Sequence, residues 1–114
     1  MANYWRWLAA VIALAAMNAS ASTLSVADCF EGSDFIANAA VARENGMSRD
    51  AFLDRMEEDF QLIQAFPPAL RWFAHDEDDA RFLLQSAREV FDKPDAPEGH
   101  RAHFLAICFA RSTV

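Results

Sequence analysis

Apolar residues recur every three or four positions along four stretches of the chain, which is the spacing of one face of an α-helix. The pattern predicts helices over residues 26–45, 49–66, 77–92 and 97–111. Valine and isoleucine never form a run, so the sequence offers little material for a β-sheet. The apolar face of the first predicted helix comprises Val26, Cys29, Phe30, Ser33, Ile36, Ala37, Ala40 and Val41, with Phe35 on the opposite side.

Local signals set the predicted helix ends. Ser25 is a typical N-cap, and Asp28 three residues later suggests a capping box. Gly46 supplies a C-terminal stop for the first helix. Pro67-Pro68 ends the second helix, because a residue that precedes proline disfavours helical backbone. These signals leave short connections between four helices.

The two cysteines, Cys29 and Cys108, agree with the helix count. Four helices with short connections favour an antiparallel up-down-up-down bundle, in which the start of the first helix and the end of the last share one end. The cysteines occupy those two places, and an even pair in an oxidising compartment is typical of a disulfide. A redox pair is the alternative, but its usual C-x-x-C spacing is absent. We therefore predict an all-α four-helix bundle stapled by one disulfide.

Residues 1–21 have the three parts of a cleavable secretory signal peptide. A short segment that ends at Arg6 precedes an uncharged apolar run, and Ala19-Ser20-Ala21 forms a small-x-small cleavage site. A membrane anchor is the alternative, but the run is shorter than the roughly 20 residues that a span needs. We expect residues 22–114 to form one periplasmic or secreted domain with no stable membrane insertion.

The charge of the chain restricts its partners. The full sequence has a formal net charge of −7 at pH 7, and loss of Arg6 with the signal peptide would make it −8. An acidic surface repels phosphate backbones, so nucleic acid is not an expected partner. A basic protein partner fits this charge, although solubility alone also explains it.

Three histidines are candidate metal-binding or pH-sensing residues. His100 and His103 are three residues apart on the predicted fourth helix, a spacing that can share a metal ion, and His75 or the acidic run 76–79 could add a ligand. Histidine also changes charge near pH 6.5, which allows an acid response. Packing at the edge of the core is the alternative role for these rings.

The segment Arg71-Trp72-Phe73 is the candidate partner contact, because tryptophan and arginine are enriched among interface hot spots. The alternative is that Trp72 and Phe73 fold back as a lid over one end of the bundle. No Ser-His-Asp order, glycine-rich phosphate loop or glycosidase-like carboxylate pair stands out, so we expect no enzymatic activity and no cofactor.

The chain resembles a group of short secreted proteobacterial proteins without an assigned activity. The shared features are a signal peptide, Cys29 at the start of the first helix, the alanine-rich stretch AAVARENG at 39–46 with its Arg-x-x-Gly, and the final cysteine in FLAIC at 104–108. This resemblance implies a periplasmic helical bundle and carries no catalytic residues. In size and cysteine count the chain is also similar to periplasmic acid-stress chaperones, without a shared motif.

Together these features predict a non-enzymatic periplasmic protein that acts through protein contacts. It would serve as an inhibitor, an immunity-type protein or an envelope-stress accessory. An acid-responsive chaperone-like protein and a helical bundle that binds a metal or small ligand are the alternatives.

Overall fold

The computed structural model describes residues 24–112. Its helices are α1 (Val26–Glu44), α2 (Arg49–Ile63), α3 (Glu77–Asp92) and α4 (Pro97–Arg111), with a 3-10 turn at Pro68–Leu70. No strand occurs within this part of the chain, and the all-helical prediction is confirmed. The predicted signal peptide at 1–21 lies outside the described residues. None of the helices in 24–112 combines the length and apolar character needed to cross a membrane.

Capping interactions are present where the sequence predicts the ends of α1, whereas α2 ends earlier than predicted. Ser25 Oγ accepts a hydrogen bond from Asp28 N at 3.1 Å, and Ser25 N donates to Asp28 Oδ2 at 2.9 Å, which completes the capping box. Gly46 turns the chain after α1 with φ 95°. The second helix ends at Ile63, three residues before the predicted end, because Ala65 N and Phe66 N bond to carbonyls three residues back and tighten the last turn.

The helices form the predicted up-down-up-down arrangement. The Cys29–Cys108 disulfide joins the start of α1 to the end of α4, with their Cα atoms 5.6 Å apart. At the opposite end, an ion pair between Arg49 and Asp92 joins the start of α2 to the end of α3. The first helix packs against both α4 and α3, whereas α2 packs mainly on α3. The predicted disulfide is therefore confirmed, and α1 is the central element of the bundle.

Arg43 closes the end of the bundle that lies far from the disulfide. Its guanidinium donates to the carbonyl oxygens of Val90, Lys93 and Asp95, and lies 3.4 Å from Nε2 of His100. The last carbonyls of a helix have no partner within that helix. Arg43 supplies donors at the end of α3 and so joins α1 to α3 and to the start of α4.

The buried side of α1 differs from the predicted face. Val26, Phe30 and Val41 are exposed, while Gly32 and Ala39 are buried. The reason is that α1 contacts two helices rather than one, so a different strip of its surface is covered. Phe35, predicted to lie opposite the core, packs against it and contacts other aromatic rings. The small buried residues Gly32, Ser33, Ala37, Ala39 and Ala40 let α1 approach its neighbours closely.

Candidate functional site

The connection between α2 and α3, residues 64–76, contains the most irregular backbone of the described chain. Arg71 braces it from within: its guanidinium nitrogens donate to the carbonyls of Phe66 at 2.9 Å, Gln64 at 3.3 Å and His75 at 3.4 Å. Phe73 has a φ of 50°, and Ala74 N donates to Trp72 O across it. A non-glycine residue in this conformation costs about 1–3 kcal/mol and persists only where its surroundings hold it.

The Phe73 side chain is what holds this turn. The ring is completely buried, with its centroid 5.9 Å from that of Phe104 and 6.3 Å from that of Phe82. Gly32 on α1 leaves the space, since a Cβ there would lie 2.7 Å from the Phe73 ring. The Phe73 ring therefore anchors the connection by packing in the core between α1, α3 and α4.

The three residues of the candidate contact segment have different environments. Phe73 is buried and folds inward, as in the lid alternative. Trp72 is 37% exposed, and one side of its indole packs against Phe35 at a centroid distance of 5.5 Å. Arg71 is partly buried by its bonds to the connection. A partner that approached this segment would contact Trp72 and the edge of Arg71 rather than Phe73.

An open groove of about 610 Å³ lies between α2, the connection and the start of α3. Its lining includes the apolar side chains of Phe60, Ile63, Ala74, Ala80 and Leu84. The polar lining residues are Glu57, Gln61, Gln64, Arg71, Asp76, Glu77 and Arg81. A concave surface that combines apolar side chains with polar groups is the usual form of a binding site.

The charges around the groove are predominantly negative. Glu57, Asp76 and Glu77 contribute three carboxylates. Arg71 keeps its positive charge, because its partners are neutral backbone carbonyls, whereas Arg81 pairs with Asp78 at 3.3 Å. The helix that forms one wall, α2, carries five carboxylates and two arginines. The potential at the groove therefore attracts cations.

Large apolar side chains that neighbour the groove-lining residues in sequence are also exposed to solvent. Leu62, Phe66 and Leu70 are 68%, 56% and 71% exposed. They belong to the last turn of α2 and to the connection, which also carries Trp72. These three side chains are therefore accessible to a partner protein.

His75 fastens the connection to α1. Its Nε2 lies 3.2 Å from Asp28 Oδ2, and its Nδ1 lies 3.1 Å from the carbonyl oxygen of Pro68. Burial alone lowers the pKa of His75. The hydrogen bond to Pro68 and the hydrogen bond and charge of Asp28 raise the pKa, and the charge of Asp79 raises it further. Together they outweigh burial, so the pKa of His75 lies above its ordinary value of 6.5.

The other two histidines lie elsewhere and do not join His75. His100 is buried, with Nε2 3.1 Å from the carbonyl of Lys93, at the end of the bundle that Arg43 closes. His103 is exposed, with Nε2 3.7 Å from Glu89. Within residues 24–112, no three histidine, cysteine, aspartate or glutamate side chains converge as a metal site would require. The acidic residues after His75 instead begin α3, where Asp76 accepts from Asp79 N.

Two features of this site were not visible in the sequence. The groove depends on how α2 and α3 pair, which the apolar pattern of each helix does not specify. The partner of His75 is Asp28, which is 47 positions away and which the sequence suggests only as a helix cap. Comparisons with protein-family models, curated proteins and solved structures found no match to this chain.

Proposed function

We propose that this protein is an exported, non-enzymatic binding protein, and that its groove takes a basic amphipathic segment of a partner protein. The observation that carries the proposal is that one open groove has apolar walls and an acidic border, which consists of the exposed carboxylates of Glu57, Asp76 and Glu77. An amphipathic helix can lay its apolar side into such a groove while its basic residues meet the border. Inhibitor, immunity-type and envelope-stress roles each require contact with a partner protein.

Export is part of the proposal because of the disulfide and the signal-peptide pattern. A bridge between Cys29 and Cys108 is stable in an oxidising compartment and rare where thiols are kept reduced. Intact-mass measurement of protein recovered after secretion tests this part. A mature chain that begins at Ser22 is the expected result, and a chain that retains residues 1–21 would contradict it.

A pair of synthetic peptides tests the groove. One is an amphipathic helix of about 15 residues, roughly 22 Å long, with leucine on one face and lysine on the other. The second has glutamate in place of every lysine. We expect only the lysine peptide to bind, with an affinity that falls as salt is added, because exposed charges are screened. Equal binding of the two peptides would contradict the proposal.

Variants then locate the binding surface. The double variant Glu57→Gln and Glu77→Gln removes two border charges, and we expect about fivefold weaker binding of the lysine peptide, since each exposed ion pair contributes roughly 0.5 kcal/mol. The double variant Glu31→Gln and Glu58→Gln is the matched control, because it also removes two charges and both residues are exposed but do not line the groove. The same loss in the control would mean that general charge, not the groove, attracts the peptide.

A further inference from the structure

His75, which joins the connection beside the groove to α1, is also a titratable residue. His75 follows Ala74, which lines the groove, and its carbonyl accepts a hydrogen bond from Arg71, which lines it too. The imidazole reaches from this wall to Asp28 on α1. The position of the groove wall therefore depends on the contacts of this ring, together with the buried Phe73 side chain and the hydrogen bonds of Arg71.

Both contacts of that ring require a donor on the imidazole. The Pro68 carbonyl and the Asp28 carboxylate can only accept hydrogen bonds, and each faces one ring nitrogen. A neutral imidazole has a single N–H, so it satisfies one of them and turns a lone pair toward the other. Only the protonated ring donates to both. The structure, in which the connection contacts α1 through both ring nitrogens of His75, is therefore the one that the protonated imidazole favours.

The charges around the ring favour the same form. Asp28 approaches it from α1 and Asp79 from the start of α3, whereas Arg71 is directed at the backbone carbonyl of His75. Asp28 Oδ2 is held in place by a second donor, the backbone nitrogen of Ser25. The ring therefore meets a carboxylate that the helix cap has already positioned.

We infer that His75 is a proton-operated clasp: its protonated ring ties the connection to α1, and loss of the proton releases the groove wall and weakens binding of the basic segment. The effect on binding rests on the proposed function, whereas the clasp itself does not. Because the pKa of His75 is raised, the clasp is closed in weak acid and opens as pH rises through that value. This direction is opposite to that of a protein that loosens in acid.

Two measurements on the secreted protein test the clasp directly. Nuclear magnetic resonance titration of the three histidine rings should place the pKa of His75 above 6.5. Amide protection factors at Leu70, Ala74 and His75 should fall roughly tenfold between about pH 5.5 and pH 8, the size expected for loss of one charge-assisted hydrogen bond. Unchanged protection across this range, with His75 titrating at or below its ordinary value, would overturn the inference.

Substitutions assign the pH response to this ring. His75→Gln keeps a donor that can reach Asp28 but cannot titrate, so we expect the pH dependence of protection and of peptide binding to disappear. His103→Gln removes a histidine that is exposed beside Glu89, and it should leave both responses intact. Ser25→Ala weakens the cap but leaves the His75 proton, so its pH response should also remain. A response that survives His75→Gln would refute the clasp.

Peptide binding at the two pH values separates this inference from the proposed function. Tighter binding of the lysine peptide at pH 5.5, lost in His75→Gln, supports both. Binding that is equal at both pH values refutes regulation by the clasp and leaves the proposed function standing. If the amides respond to pH but the lysine peptide binds at neither value, the clasp stands and the proposed function fails.

Discussion

Replacing Gly32 by alanine tests the close packing of α1 against the rings of Phe73 and Phe104. A Cβ at this position would lie 2.7 Å from Cε2 of Phe73 and 2.8 Å from Cε1 and Cζ of Phe104. Carbon atoms normally approach to about 3.5–4.0 Å, so both rings would have to move. The rings are almost fully buried and contact each other, which leaves neither free to shift alone.

Two opposing effects set the expected magnitude. Overpacking a core typically costs about 1–3 kcal/mol. Alanine in a helix interior is better than glycine by about 0.8–1.0 kcal/mol. We therefore expect Gly32→Ala to lower the free energy of unfolding by up to about 2 kcal/mol. Gly99→Ala is the matched control, because its Cβ would meet only Asp95 Cβ at 3.7 Å, an ordinary contact. That substitution should raise the free energy of unfolding by up to about 1 kcal/mol.

Urea unfolding followed by circular dichroism measures both changes, provided that the slope with denaturant stays the same. Phe104→Leu in the Gly32→Ala background should relieve part of the overlap, so the double variant should be more stable than the sum of the single changes predicts. A Gly32→Ala protein that gains stability as Gly99→Ala does would contradict this prediction.

Three further predictions concern the contacts between helices. Arg43→Met keeps the aliphatic stem but removes the donors to Val90, Lys93 and Asp95, and should lower the free energy of unfolding by about 2–3 kcal/mol in a urea titration. Arg49→Met removes the exposed ion pair with Asp92 and should lower it by less than about 1 kcal/mol. Replacing both cysteines by serine should lower the free energy of unfolding by about 2–5 kcal/mol, and an equally stable reduced protein would contradict this. The stability difference between wild type and His75→Gln should be largest below pH 6.5 and should shrink as pH rises through the raised pKa of His75. A difference that grows with pH would reverse the assigned sign.

The helices could be predicted because their ends depend on neighbours in the sequence. The Ser25–Asp28 capping box acts over three residues, so the chain itself shows it, whereas α2 ends at Ile63, before the end that Pro67-Pro68 predicts. The disulfide could be predicted because only one pairing of two cysteines exists. These features need no knowledge of how the helices pack.

The remaining features depend on distances that the sequence does not contain. The face of α1 that is buried follows from its contacts with two helices, and a count of apolar residues every three or four positions favoured Phe30 over Gly32. Arg43 was visible only as part of a loose motif, since its acceptors lie 47 to 52 positions away. The position of Phe73 depends on a cavity that α1, α3 and α4 form together.

The Cys29–Cys108 bond also determines how the domain responds to mechanical tension and to proteolysis. It closes a loop across 79 positions that contains almost every residue of the bundle. Tension applied on the two sides of the bridge would pass through the sulfur atoms, so the residues between Cys29 and Cys108 would not be extended. A protease that cleaved the exposed connection would likewise leave two fragments joined as one molecule.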